Sequence, residues 1–309
     1  MVFCSLFYYF CCSYILFIVK STFISEHRVI DLSDWIQVGQ GGNGTTYENP
    51  SQPDLILKVD KKQINTLEFV KHEFEVSRAV ERLGLPTPKM HEMVRVGNLY
   101  ATISDRIKDK KSLSRICHDE PQRIEEMAQI MCHNGKILFS TQCDTDFFPS
   151  RKEQLMRALD KVQFVSRKNR RILKDFARTI QDIKTCSHGD FNMGNLVLSG
   201  DRPIWIDLDR FGYGDPMFDI GHLYQICNVY APMKQVQDIF HMTEPQLRLF
   251  WDAFAKAYTG HDDHAEFDSQ AGRFACLDMI LRYEFQKCSL PEKMFFGVYI
   301  KRLIKAFYL

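Results

Sequence analysis

Three polar side chains that could bind a metal ion and a phosphate group follow one another closely in the second half of the sequence. Asp190 belongs to a His-Gly-Asp triplet, Asn195 comes shortly after it, and Asp207 ends a short apolar run. Carboxylate and amide oxygens are hard ligands that suit Mg²⁺, which binds few protein groups and keeps substrate phosphates among its other ligands. The spacing therefore favours metal-assisted chemistry on a phosphate.

A β-hairpin is predicted to bring these side chains together. Residues 196–198 (Leu-Val-Leu) read as one strand, Gly200 and Asp201 form a turn, and residues 203–206 (Pro-Ile-Trp-Ile) form the returning strand. Because a hairpin places its two ends side by side, Asp190, Asn195 and Asp207 can converge on one small volume.

Three motifs resemble those of the aminoglycoside phosphotransferase and choline kinase-like family. In order, they are HGDFNMGN, which fits an H-G-D-x4-N loop, the dipeptide ID at the end of the returning strand, and GDPMFDI. Their combination at close spacing is far more specific than an isolated His-Gly-Asp. The resemblance implies an α+β, bilobal protein kinase-like fold, with a small antiparallel-sheet N-lobe and a mainly helical C-lobe.

The resemblance also implies a function and roles for the motif residues. The chain would be an ATP- or GTP-dependent phosphotransferase that moves a γ-phosphoryl group to a hydroxyl of a small molecule. Asp190 would orient that hydroxyl and accept its proton, while Asn195 and Asp207 would hold Mg²⁺. A second set would support the loop structurally: His188, Asp215 and Asp219.

A glycine-rich segment followed by a lysine indicates where the nucleotide binds. The glycines permit a close approach of backbone to phosphate; they are Gly39, Gly41, Gly42 and Gly44. Lys58 then lies inside an apolar run, where a lysine is most often a solvated edge residue, because burying an unpaired ammonium is costly. At this distance from a glycine loop it instead resembles the kinase lysine that binds the nucleotide α- and β-phosphates.

The next segment, residues 64–83, has helical periodicity and carries candidate partners for Lys58. Glu73 borders the apolar stripe and occupies the place of the family's lysine-pairing glutamate. Glu68 and Glu75 are the alternatives, more typical of a solvent-facing position. Beyond the N-lobe, residues 119–138 are predicted to form a helix with Pro121 in its first turn.

The chain divides by composition and pattern into three parts. Residues 1–28 form a hydrophobic leader, 29–107 the N-lobe and 108–309 the C-lobe with the acceptor site. Residues 2–19 carry no charge and are barely long enough to span a bilayer. They are a membrane anchor, with the following basic residues on the cytoplasmic side, a disordered leader or an extension from a mis-assigned start, or, as a third alternative, a buried helix.

The overall composition excludes some classes of function. The formal net charge of +1 provides no general attraction to nucleic acid, which is not an expected partner. The ten cysteines show no C-x-x-C pair, which favours a reducing, cytoplasmic setting. Neither the identity of the acceptor nor an oligomeric state can be read from the residues.

Two other functions are compatible with the same motifs. The first is a membrane-tethered, nucleotide-binding regulator, although such a pseudokinase need not retain Asp190, Asn195 and Asp207 together. The second is a protein kinase, with a macromolecular acceptor. The G-D-P segment follows Asp207 too closely for a long activation loop, which favours a small acceptor.

Overall fold

The computed structural model describes residues 27–40, 44–62, 64–285 and 289–309. It contains two compact units: one is the chain up to Ala79 together with Pro88–Lys108, and the other is Val80–Thr87 together with Asp109–Leu309. The predicted hydrophobic leader spans residues 1–28. Only residues 27 and 28 of this segment belong to the described part of the chain, so the leader prediction lies outside it. Within the described ranges, no helix is both long and apolar enough to cross a membrane.

The N-terminal unit is built on a five-stranded antiparallel sheet, as predicted. The strands are β1 (Ile36–Gln40), β2 (Gly44–Asn49), β3 (Gln52–Asp60), β4 (Met90–Val96) and β5 (Leu99–Asp105). Their order is β1-β2-β3-β5-β4, so β3 is the central strand. Gly97 adopts a φ of 57°, which favours glycine in the tight turn from β4 to β5.

Side chains of β3 alternate between the two faces of this sheet. Leu57 and Val59 are buried in the apolar core on one face. Lys58 and Asp60 have the opposite parity and point to the other face, toward helix α1 (Leu67–Arg82). Val70 and Phe74 of this helix pack with Met93 of β4. The central strand therefore presents Lys58 to α1 rather than to bulk solvent.

The C-terminal unit is mainly helical. Its helices are α2 (Leu113–Asp119), α3 (Ile124–Ser140), α4 (Arg151–Lys161), α5 (Arg167–Thr179), α6 (Met217–Tyr224), α7 (Lys234–Phe240), α8 (Glu244–Thr259), α9 (Ala265–Phe285) and α10 (Leu290–Phe307). A π-helical turn, Gln225–Val229, continues α6. Five of the described helices, α4, α5, α6, α9 and α10, share one core, to which they contribute the buried side chains Leu159, Leu173, Phe218, Leu277 and Ile300.

Short strands in this unit form the predicted hairpin. β6 (Lys111–Ser112), β8 (Leu196–Ser199) and β9 (Arg202–Trp205) make one small sheet, in the order β6-β8-β9. The turn residue Gly200 has a φ of 60°, as a tight two-residue connection requires. β7 (Cys186–Ser187) pairs separately with β10 (Gly212–Tyr213).

The helix predicted over residues 119–138 is wrong at its start. α2 ends at Asp119, a short 3₁₀ turn spans Pro121–Arg123, and α3 begins only at Ile124. The reason is Pro121, since a proline disfavours the helical conformation in the residue before it. Glu120 accordingly has a ψ of 73°. The α-helical conformation is therefore interrupted at Glu120, and the first helical turn predicted around Pro121 does not form.

Helices α6 and α9 approach each other closely at Gly221. A Cβ atom added at this position would lie 2.5 Å from Phe274 Cβ and 2.8 Å from the backbone nitrogen of Ala275. One turn further along, Gln225 Nε2 donates a hydrogen bond of 2.9 Å to the carbonyl oxygen of Ala275. The contact therefore depends on the absence of a side chain at residue 221.

We expect Gly221→Ala to destabilise the protein by about 1–3 kcal/mol, because the new methyl group would push apart two tightly packed helices. Gly297→Ala is the matched control: its nearest neighbour would be 3.6 Å away, and removing a glycine from a helix interior favours folding. Urea unfolding followed by circular dichroism measures both. Equal unfolding free energies for the two variants would contradict the close α6–α9 contact.

Candidate active site

The loop that carries Asp190 follows β7 and is shaped by Asp219. The backbone N–H groups of His188 and Gly189 donate hydrogen bonds of 2.7 and 2.8 Å to the two carboxylate oxygens of Asp219. Gly189 has a φ of 82°, and a Cβ there would collide with Arg151 and the carbonyl oxygen of Arg210. Only glycine fits this bend. Asp219 thus holds the backbone at His188 and Gly189 in this bend.

Arg151 supports the same loop from its buried side, a role that the sequence did not reveal. Its Nε donates to Ser187 Oγ at 3.1 Å, Nη1 donates to Gln154 Oε1 at 3.0 Å, and Nη2 contacts the carbonyl oxygen of Arg210. Burial lowers the pKa of this arginine from its usual high value. The guanidinium thus joins the start of α4 to both β7 and the segment after Asp207.

The Asp190 carboxylate is held at both oxygens. Asn195 Nδ2 donates to Asp190 Oδ2 at 2.9 Å and to the Asp190 carbonyl oxygen at 2.8 Å. His222 Nε2 lies 2.9 Å from the other carboxylate oxygen, Oδ1. Burial would raise the pKa of Asp190, but the contact with His222 and the charge of Arg210 keep it well below its usual range. Asp190 is therefore a firmly ionised, oriented carboxylate.

The hairpin places Asn195 beside the residues that lead to Asp207. Leu196 pairs with Trp205, and the backbone nitrogen of Ile206 donates to the carbonyl oxygen of Asn195 at 3.0 Å. Asp207 is exposed and has a φ of 62°, a conformation that non-glycine residues adopt rarely and often at functional sites. The structure thus brings Asn195 close in space to the end of β9.

Asn195 and Asp207 fit a magnesium ion as a partial ligand set. Because the amide nitrogen of Asn195 is directed at Asp190, its side-chain oxygen is the atom left to bind a cation. In the described part of the chain, no three His, Cys, Asp or Glu side chains form a metal-binding group. A closed protein cage is therefore absent there, whereas Mg²⁺ typically takes only one or two protein carboxylates and completes its shell elsewhere.

The other two supporting residues have local roles. His188 is fully buried, its Nε2 lies 3.1 Å from the carbonyl oxygen of Ile206, and its ring packs on Trp205 at 5.2 Å between centroids. Burial lowers its pKa, so the imidazole is neutral. Asp215 accepts a hydrogen bond of 2.9 Å from the backbone nitrogen of Met217 and so stabilises the turn that leads into α6. It contacts this helix rather than the Asp190 loop.

In the N-terminal unit, Lys58 forms an ion pair with Glu73, the predicted partner. The alternative Glu75 instead pairs with Lys71 at 3.6 Å on the exposed side of α1. Lys58 Nζ also lies 3.3 Å from Asp60 Oδ1, a contact that the sequence did not indicate. Burial would lower the pKa of Lys58, but the attraction of Glu73 and Asp60 outweighs it and raises that pKa. The lysine is thus a charged, oriented group.

Asp60 is a buried carboxylate in this cluster. Its side chain is fully buried, and neither oxygen has a hydrogen-bond partner, so the contact with Lys58 is an ion pair alone. Burial raises the pKa of Asp60 to about 6, although Lys58 opposes the shift. Lys58 therefore faces two carboxylates, the fully buried Asp60 and the partly exposed Glu73.

Two of the four predicted loop glycines are described. Gly39 lies in β1 at a register shift, where a Cβ would come within 2.7 Å of Thr46 Oγ1. Gly44 begins β2, and a Cβ there would come within 2.6 Å of the Val59 carbonyl oxygen. At both positions a neighbouring strand comes so close that a residue with a side chain would clash. Gly41 and Gly42 lie outside the described residues, and their phosphate-binding role stays a prediction.

The fold and these groups define a kinase-like phosphotransferase. Residues 35–268 match the model of the Phosphotransferase enzyme family, and the chain therefore belongs to that family. This confirms the resemblance seen in the sequence motifs. No curated protein matches the chain in sequence.

Solved structures of kinases share the fold at low sequence identity. A choline/ethanolamine kinase family protein from Mesorhizobium loti is 12% identical, with a TM-score of 0.53 and 88% of each chain covered. The amicoumacin kinase hAmiN, in complex with AMP-PNP, Ca²⁺ and Ami, is 14% identical, with a TM-score of 0.54, covering 91% of this chain and 90% of that one. The aminoglycoside phosphotransferase APH(4)-Ia is 14% identical, with a TM-score of 0.56, covering 89% and 94%. These likenesses confirm an α+β, protein kinase-like fold.

Proposed function

We propose that this protein transfers the γ-phosphoryl group of ATP or GTP to a hydroxyl group of a small molecule. Membership of the phosphotransferase family supports the reaction class, and the AMP-PNP bound by the similar amicoumacin kinase supports a nucleotide co-substrate. The observation that carries the proposal is the Asp190 carboxylate, ionised, held at both oxygens and 25% exposed.

Asp190 acts on the acceptor hydroxyl. An anion with a depressed pKa is too weak a base to deprotonate an alcohol before reaction. It can, however, orient the hydroxyl by accepting its hydrogen bond, and it receives the proton as the oxygen becomes attached to phosphorus and turns acidic. Holding the carboxylate in one orientation serves this role, since phosphoryl transfer depends chiefly on positioning.

The remaining groups bind the nucleotide and its metal ion. Asn195 and Asp207 would hold Mg²⁺, which when bound would supply positive charge to offset that of the nucleotide phosphates. Lys58, fixed by Glu73, binds nucleotide phosphate as a point charge. Its pairing with the acidic Glu73 and Asp60 keeps it protonated for that purpose.

The segment after Asp207 favours a small acceptor over a protein. Gly212 and Tyr213 are paired with Ser187 and Cys186 in a two-stranded ladder, and α6 begins soon afterwards at Met217. This leaves little chain for the long activation segment that protein kinases use to receive a polypeptide.

A screen for acceptor-dependent nucleotide consumption tests the proposal. The full-length protein is incubated with Mg-ATP or Mg-GTP and a library of hydroxyl compounds that includes aminoglycosides, choline, sugars and nucleosides. We expect one structural class to accelerate nucleotide consumption and to appear as a phosphate monoester by mass spectrometry. Tight nucleotide binding with no phosphorylated product, or phosphorylation of polypeptides alone, would contradict the proposal.

We expect Lys58→Ala to weaken Mg-nucleotide binding about 10- to 100-fold, since a hydrogen bond to a charged group contributes about 1.5–3 kcal/mol. Lys71→Ala is the control, because Lys71 is an exposed lysine of the same unit with its own carboxylate partner. Calorimetric titration measures the affinities, and thermal unfolding checks the fold. Equal affinities of the two variants would make Lys58 a structural residue.

A further inference from the structure

His222 is a buried histidine that contacts a carboxylate with each of its two ring nitrogens. Its Nε2 lies 2.9 Å from Asp190 Oδ1, and its Nδ1 lies 3.0 Å from Asp278 Oδ2. The His222 side chain is 4% exposed and that of Asp278 is 13% exposed. None of the phosphotransferase motifs includes Asp278 or assigns a role to His222, and 56 residues separate the two in the chain.

The Nδ1 contact with Asp278 is a hydrogen bond, whereas the Nε2 contact with Asp190 lacks hydrogen-bond geometry and is an ion pair alone. Because a negative charge lies on each side of the ring, the charged form of His222 is favoured, and we assign it as an imidazolium. Burial would lower the pKa of His222, but Asp278 and Asp190 outweigh it and raise that pKa to about 9. Asp278 keeps its negative charge, since His222 and then Arg282 and Arg210 hold its pKa below the usual value against the effect of burial.

The packing of α6 on α9 fixes this arrangement. His222 follows Gly221, where the two helices come closest, and Asp278 lies one turn beyond Ala275, which faces Gly221. The helix contact therefore fixes the backbone positions that carry His222 and Asp278 relative to each other. Asp278 restrains rotation of the ring by holding Nδ1.

We propose that His222 is a positioning residue for phosphoryl transfer, which holds the Asp190 carboxylate in the orientation that receives the acceptor hydroxyl; this rests on the function proposed above. Asn195 Nδ2 holds Oδ2 by a hydrogen bond and His222 Nε2 attracts Oδ1 as an ion pair, so the two together restrain rotation of the carboxylate about its Cβ–Cγ bond. A displacement of a reacting group by about 1 Å can cost about 10²-fold in rate.

A pair of amide substitutions separates the two contacts of His222. In His222→Asn the amide nitrogen takes the place of Nδ1 and keeps a donor for Asp278, but nothing reaches Asp190. In His222→Gln the longer side chain places its amide nitrogen near the position of Nε2, toward Asp190. We expect His222→Asn to lower kcat about 10- to 100-fold with little change in nucleotide affinity or KM, and His222→Gln to recover part of that loss.

A double-mutant cycle tests whether His222 acts through Asp190. Turnover of Mg-ATP, with the acceptor found by the screen or with water, is measured for His222→Asn, Asp190→Asn and both together. We expect the second substitution to add no further loss, because its target is already gone. The proposal would be overturned if the kcat losses of the two single variants multiplied in the double variant. Equal kcat values for His222→Asn and the parent would overturn it as well. Should His222→Asn not fold, Asp278→Asn, which leaves His222 in place, enters the same cycle with the same expectations.

A measurement without turnover provides an independent check. In the full-length protein labelled with ¹⁵N-histidine at neutral pH, both ring nitrogens of His222 should have the chemical shifts of N–H groups. A neutral ring would overturn the proposal. If instead Asp190→Asn turns over like the parent, the assignment of Asp190 fails, whereas loss of turnover in Asp190→Asn but not in His222→Asn rejects the role of His222 alone.

Discussion

Asp190→Asn should lower turnover about 10²- to 10⁴-fold, the range that a positioned proton acceptor contributes. The amide keeps the size and shape of the carboxylate but has neither its charge nor its capacity to take a proton. Nucleotide binding should persist, because the contacts of Asp190 are with Asn195 and His222 and no metal ion or nucleotide is assigned to it. Steady-state kinetics and calorimetric titration of Mg-nucleotide measure the two quantities.

Asp201→Asn is the matched control for this substitution. Asp201 is an exposed residue in the turn of the same hairpin, so its replacement makes the same chemical change away from the Asp190 loop. We expect parental turnover and affinity. A similar loss of turnover in both variants would indicate a general disturbance of the hairpin rather than a catalytic role for Asp190.

Asp207→Asn should impair Mg-dependent nucleotide binding and turnover together. The substitution replaces a charged magnesium ligand by a neutral one, and loss of one group that stabilises transition-state charge typically costs about 10²- to 10³-fold in rate. Because the defect is in metal affinity, raising the concentration of Mg²⁺ should recover part of the lost turnover. The same titration should not help Asp190→Asn.

Magnesium titrations at fixed nucleotide concentration distinguish the two aspartates. The parent and Asp201→Asn should reach half-maximal turnover at the same Mg²⁺ concentration, and Asp207→Asn only at a higher one. An unchanged Mg²⁺ dependence in Asp207→Asn would remove Asp207 from the metal site while leaving the assignment of Asp190 intact.

The parts of the fold that local patterns determine could be predicted from the sequence. The β8–β9 hairpin follows from two short apolar runs around Gly200, and the sheet of the N-terminal unit follows from similar strand and turn signals. Glu73 could be chosen over Glu75 because helical periodicity places it beside the apolar stripe, and the structure pairs it with Lys58.

The contacts that hold the candidate site could not be predicted, because they depend on tertiary packing. Arg151 looks like an ordinary first-turn residue of a helix, and only burial against Ser187 and the Arg210 carbonyl shows its role. His222 and Asp278 lie on separate helices with no spacing that relates them. Such long-range ion pairs have no periodic signal in one sequence, although His222 does lie two residues after the end of the third motif.

The close contact of α6 with α9 at Gly221 has a consequence for how related sequences can diverge. A larger residue at position 221 or at Ala275 would separate the helices and move Asp278 away from His222. We therefore expect these four positions to change as a group during evolution. Relatives that carry a bulky residue in place of Gly221 should also have lost the histidine, the aspartate or both, and should restrain their loop aspartate by another route.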